Sequence, residues 1–133
     1  RQWVMRPSER IRFWSGETYK LPNGMTLIRL GGHFPGGTVL HWQVGAGGKG
    51  VLLSGDIIQV VSDRRWVSFM YSYPNLIPLP AAEVERIRNM IEPYQFERLY
   101  GAWFERVVMQ DAHDAVTRSA ERYIRALKSV PQS

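Results

Sequence analysis

The chain has 133 residues, 44% hydrophobic and 22% charged, the proportions of one ordinary globular domain and not those of a disordered chain. It contains no cysteine, which removes disulfides, thiolate metal sites and cysteine nucleophiles together and fits a cytoplasmic setting; no apolar run reaches the roughly 18 residues of a membrane span. The formal net charge of +5 raises the case for nucleic acid, yet the arginines are spread along the chain, mostly single, several beside acids as in Glu85-Arg86, Glu97-Arg98 and Glu121-Arg122, with Arg64-Arg65 the one doublet, the texture of a solvated face, which argues against that partner.

The first residues, Arg1-Gln2-Trp3-Val4-Met5, carry no initiator methionine, and Trp3 and Val4 are apolar at once, as expected of a piece of a longer protein. Pro7-Ser8-Glu9 offers a helix start. From Ile11 the texture becomes strand-like: Ile11 and Phe13, then Tyr19 and Leu21, alternate with polar residues about a Ser15-Gly16 turn. Pro22-Asn23-Gly24 predicts a tight turn, and Met25 to Leu30 a strand. Gly31-Gly32-His33-Phe34-Pro35-Gly36-Gly37 is a glycine-dense loop. In the next strand, Thr38, Leu40, Trp42 and Val44 share one face and Val39, His41 and Gln43 the other. Gly45 to Gly50 reads as a hairpin loop, and Val51-Leu52-Leu53 as a buried strand ending in Ser54-Gly55-Asp56.

Residues 57–80 are the least regular and hold Trp66, Phe69, Met70, Tyr71 and Tyr73 among prolines. A long aromatic segment of this kind either packs on a core or walls a binding site. Val84, Ile87 and Ile91 then repeat at helical spacing over Ala81 to Glu92, with Pro93 as the stop. Arg98 to Tyr100 and Val107 to Met109 predict short strands. A continuous stripe from Ala112 through Ala115/Val116, Ser119/Ala120 and Tyr123/Ile124 to Leu127 predicts a helix over 111–128, with Asp111 as N-cap.

His33 and Asp56 each follow a strand and are bounded by glycines, so one sheet rim can present both. An imidazole and a carboxylate so held suit zinc, manganese or iron. A structural histidine in a Gly-Pro turn and an aspartate capping a turn would look the same. His41 reads as a packed or surface residue and His113 as an exposed helix residue.

The segments Gly31-Gly32-His33-Phe34-Pro35-Gly36-Gly37-Thr38 and Val51-Leu52-Leu53-Ser54-Gly55-Asp56 resemble the second half of the metallo-β-lactamase fold superfamily over about residues 10–128. The resemblance implies an α/β chain that forms the C-terminal half of an αββα sandwich, a mostly antiparallel or mixed sheet with two main helices packed on one side. It implies that His33 and Asp56 are metal ligands in a hydrolase of esters, thioesters, lactones or similar bonds in small molecules. Trp66, Phe69, Met70, Tyr71, Tyr73 and Trp103 are then candidates for contact with substrate.

The chain departs from the family pattern in two places. The family's His-x-His-x-Asp-His motif is absent from this chain, so the partner expected is the missing N-terminal half or a second copy in a homodimer. The place of a later family ligand reads Leu99-Tyr100-Gly101-Ala102-Trp103-Phe104, without histidine. The isolated chain is therefore expected to be inactive, and a non-catalytic binding or scaffold member of the same fold stands as the alternative.

Overall fold

The computed structural model describes residues 4–72 and 74–129, so Trp3 and Tyr73 lie outside the described residues. In chain order the elements are β1 (Thr18–Leu21), β2 (Met25–Arg29), β3 (Thr38–Trp42), a single turn α1 (Gly45–Gly48), β4 (Val51–Gly55), β5 (Gln59–Val60), β6 (Val67–Ser68), β7 (Met70–Ser72), β8 (Ile77–Pro78), α2 (Ala81–Ile91), β9 (Arg98–Gly101), β10 (Val107–Val108) and α3 (Ala112–Lys128). The fold is mixed α and β. Its centre is a six-stranded mixed sheet in the order β1-β2-β3-β4-β9-β10. The pairs β1–β2, β2–β3, β3–β4 and β9–β10 are antiparallel, and β4–β9 is parallel.

Each connection follows from local chemistry. Asn23 and Gly24 take positive φ of 60° and 73°, which closes the tight turn between β1 and β2 as expected of Asn-Gly. A parallel pair needs a long crossover, and the chain from Asp56 to Glu97 supplies it. That segment holds two small ribbons, β5–β6 and β7–β8, and α2. Helix α2 buries Val84, Ile87 and Ile91, the spacing read from the sequence. Helix α3 buries Ala112, Ala115, Val116, Ser119 and Ala120, but the stripe fades toward its end, where Leu127 is exposed.

Both helices cover one face of the sheet. Ile28, Leu30, Val39, Leu52 and Leu99 from that face join Val84, Ile87, Ile91 and the small residues of α3 in one core. Alternation along each strand sends the neighbouring side chains to the opposite face. The register aligns Tyr19, Leu27, Leu40, Leu53 and Tyr100 there in a single row across five strands. No helix among the described residues is long and apolar enough to cross a membrane.

Three local expectations are corrected. Ile11 and Phe13 precede β1, belong to no strand and are exposed; Ile11 N–H closes a local turn on Ser8 O at 3.0 Å instead of entering the sheet ladder. Asp111 occupies the N-cap position of α3 but sits in the left-handed region, at φ 51°, with no capping hydrogen bond from its side chain. The helix start is tied down by the main chain instead, through Ala112 N–H to Glu97 O and His113 N–H to Phe96 O. His113 is half-buried rather than exposed, because its ring packs edge-on against Phe96 and its Nε2–H donates to Glu92 O at 3.1 Å.

Candidate functional site

Strands β2, β4 and β9 run in the same direction, so their C-terminal ends share one rim of the sheet. The loop bearing His33 leaves β2 there, the turn bearing Asp56 leaves β4, and the loop bearing Trp103 leaves β9.

The His33 loop is a closed unit. Leu30 and Gly31 both donate their N–H groups to Gly37 O at 2.9 Å, and Gly37 N–H donates to Phe34 O at 2.9 Å. Gly31 and Gly32 take φ of 65° and 79°, a region open to glycine at little cost. Gly37 is required for a different reason. A Cβ there would run into the side chain of Ile57 and lie 2.8 Å from Gly31 O. That crowding is informative, because Ile57 directly follows Asp56. The two candidate loops therefore touch at Gly37 and Ile57.

The Asp56 turn is equally constrained. Buried Ser54 donates its hydroxyl to Ile58 O at 2.7 Å, and Ile57 N–H donates to Ser54 O at 3.1 Å. This loop of hydrogen bonds encloses Gly55 and Asp56, leaving Asp56 half-buried.

His33 Nδ1 lies 3.0 Å from Met70 O. A carbonyl can only accept, so Nδ1 carries the proton and a neutral ring has its lone pair on Nε2. Orientation of a histidine by a main-chain carbonyl is also how metal-binding imidazoles are commonly fixed. The donor set is short, however. No group of three or more His, Cys, Asp or Glu residues able to hold a metal occurs among the described residues. His33 and Asp56 can thus contribute to a metal centre but do not complete one.

Sequence reasoning missed two supports of this rim. The main chain of Met70 orients His33, and Arg86 on α2 clamps the base of its loop. Arg86 donates to Leu30 O and is paired with Glu83 at 2.8 Å. The guanidinium, through its hydrogen bond, holds the Glu83 carboxyl below its ordinary pKa against a smaller opposing effect of burial. The Glu83/Arg86 spacing of i, i+3 was a legible pairing signal, but nothing local pointed to Leu30.

The proposed substrate-contact residues scatter. Phe69 is fully buried with its ring edge-on to Tyr123 at 5.7 Å, so it belongs to the core. Trp66 packs under the Arg122 guanidinium at 4.3 Å, by a cleft of about 280 Å³ on the helix side that it shares with Tyr123. Met70 is half-buried and acts through its carbonyl. Exposed Tyr71 lines an open cleft of about 440 Å³ with Arg29, Gly31, Pro35 and Arg86. Trp103 lines a different one of about 510 Å³ with Gln59, Ser62 and Arg106. Of the proposed contact residues, Tyr71 and Trp103 are therefore the two left on open surface, in separate clefts, and Tyr73 lies outside the described residues. His41 is packed: it is buried, donates from Nε2 to Gln95 O at 2.7 Å and meets Tyr94 edge-on.

No protein-family profile matches the chain. It is 61% identical over 129 residues to a protein of Bacillus subtilis (strain 168) named "Uncharacterized protein YmaE". The similarity takes in 97% of the chain and 47% of that protein, so the chain spans about half the length of the curated relative it matches.

Proposed function

We propose that the chain is the C-terminal portion of a metal-dependent hydrolase with the metallo-β-lactamase fold, and that His33 and Asp56 form part of its metal site. One observation carries this reading: two glycine-bounded loops, each bearing one hard or borderline donor, meet at a single rim through Gly37 and Ile57. The motif order and spacing read from the sequence support it further.

A divalent ion such as zinc, when bound, supplies a water acidic enough to ionise near neutral pH and polarises the bond to be broken. The chain's own contribution is positional. Met70 O holds the His33 ring with its Nε2 lone pair outward from that bond, Ser54 fixes the turn that carries the Asp56 carboxylate, and Arg86 anchors the His33 loop to α2. Tyr71 and Trp103 offer flanking surfaces for a small-molecule ester, thioester or lactone. A catalytic zinc typically takes three protein ligands, so the remaining ligands come from outside this chain. A cytoplasmic location, motivated by the absence of cysteine, belongs to the same proposal.

The test compares the 133-residue chain with a chimera in which it replaces the matched segment of the Bacillus subtilis relative. The chain alone is expected to leave thioester and lactone substrates untouched with or without added zinc. The chimera is expected to hydrolyse at least one class and to lose that activity in His33→Ala and Asp56→Ala. Hydrolysis by the chain alone, or full activity in both variants, contradicts the reading. A second reading, a non-catalytic scaffold, is favoured by the missing histidine between Leu99 and Phe104. A folded chimera that binds no metal would select it.

A further inference from the structure

Four arginines line the clefts around Trp66, Tyr71 and Trp103, and three of them are already engaged. Arg86 donates to Leu30 O, to Glu83 at 2.8 Å and to the Met90 sulfur at 3.3 Å. Arg106 donates to Ser62 Oγ at 3.1 Å, and Arg122 lies over the Trp66 ring. Arg29 differs. Its main chain is fixed at the end of β2, with its N–H donated to Glu17 O at 2.8 Å. Among the described residues its guanidinium makes no ion pair, hydrogen bond or ring contact. The exposed side chain instead lines the cleft of about 440 Å³ beside Tyr71.

Charge and shape both favour an anion there. Arg29, Arg86 and one acid, Glu83, line this cleft, and Glu83 is neutralised by Arg86. One positive charge is left over, and Arg29 carries it. A concave wall focuses the field of such a charge more than a flat surface does. Tyr71, 54% exposed, adds a phenolic hydroxyl that makes no hydrogen bond among the described residues. A planar guanidinium matches a carboxylate with two parallel N–H donors, and a phenol can donate to it as well. A dianionic phosphate brings one charge more than the cleft balances. The place of the cleft matters as much as its charge. Tyr71 directly follows Met70, whose carbonyl holds the His33 ring, and Gly31-Gly32 of the cleft lead directly into His33. The cleft therefore borders the His33 side of the rim.

We propose that this cleft receives a carboxylate of the substrate, held by Arg29 and Tyr71, so that the molecules hydrolysed are small esters, thioesters or lactones with a free carboxylate away from the bond that is cut. The role as a substrate group rests on the hydrolase reading. The carboxylate site itself does not, and the experiment reads the two separately.

The 133-residue chain is titrated, with chelator present, with para-fluorobenzoate and with para-fluorobenzamide as its neutral match, each followed by fluorine NMR. The benzoate is expected to bind saturably and the benzamide about tenfold or more weakly. Arg29→Met is expected to weaken benzoate binding about tenfold and leave the benzamide unchanged, Arg29→Lys to retain part of the affinity, and Tyr71→Phe to cost about threefold. Arg125→Met on α3, outside the cleft, is expected to change nothing. Amide-proton spectra establish that each variant is folded, and Arg29→Lys and Tyr71→Phe carry the test if Arg29→Met is not. Equal binding of benzoate and benzamide, benzoate binding indifferent to the Arg29 and Tyr71 changes, or no saturable binding overturns the proposal. In the chimera with the Bacillus subtilis relative, Arg29→Met is expected to raise KM about tenfold for a thioester that bears a carboxylate, with kcat little changed, and to leave KM for the matching carboxamide as it was. Benzoate binding by the chain with an inactive chimera supports the site and counts against the hydrolase reading. Hydrolysis of the carboxylated thioester indifferent to Arg29 overturns the proposal and leaves the hydrolase reading standing.

Discussion

One face of the main sheet carries Ile28, Val39, Leu52 and Leu99, none more than 1% exposed beneath α2 and α3. The other carries Leu27, Leu40, Leu53 and Tyr100 at adjacent positions of the same four strands and remains open. Composition does not separate them. The covered face of β3 even holds a histidine, His41, while the open face holds Trp42. What separates them is topology: the crossover from β4 to β9 and the final helix both fall on one side. Burial is thus decided by where connections run, and strand alternation alone states only that two faces exist.

That contrast can be broken by mutation. Leu52→Ala removes a fully buried side chain beneath the helices and is expected to cost about 2–5 kcal/mol in denaturant unfolding of the 133-residue chain. His41→Ala leaves Gln95 O without its donor on the same covered face and is expected to cost about 1–3 kcal/mol. Leu53→Ala, one residue from Leu52 but on the open face, is expected to cost less than about 1 kcal/mol in the same chain. Equal losses for Leu52→Ala and Leu53→Ala would show that both faces are already covered. The smallest effect belongs to exposed Asp63, whose carboxyl is held at a pKa of about 2, from 3.8, chiefly by its hydrogen bonds with Arg65. A lowered folded-state pKa favours the fold above the unfolded value and loses that benefit as pH falls from about 4 toward 2. Asp63→Asn is therefore expected to leave the unfolding midpoint unchanged within error at pH 7, because exposed pairs contribute little, and to flatten slightly the decline below pH 4.

Features governed by neighbouring residues were legible in the sequence. The Asn23-Gly24 turn, the apolar periods of α2 and α3, and the glycine-bounded loops of His33 and Asp56 all depend on a few adjacent positions. Features set by distant contacts were not. Phe69 reads like Tyr71 in the chain, two aromatics in an irregular segment, yet Tyr123 from α3 covers the first and leaves the second exposed. The roles of Met70 O and Arg86 arise from partners 37 and 56 residues away in sequence. Ile11 and Phe13 alternate like a strand, but alternation alone does not join a segment to a sheet, and here the main chain turns back on Ser8 instead.

The His33–Asp56 rim is tested most directly by metal content. Elemental analysis of the chimera after dialysis against chelator and reloading with zinc is expected to find stoichiometric metal, with a large loss in both His33→Ala and Asp56→Ala and little metal in the 133-residue chain alone. Undiminished metal in both variants would contradict the account.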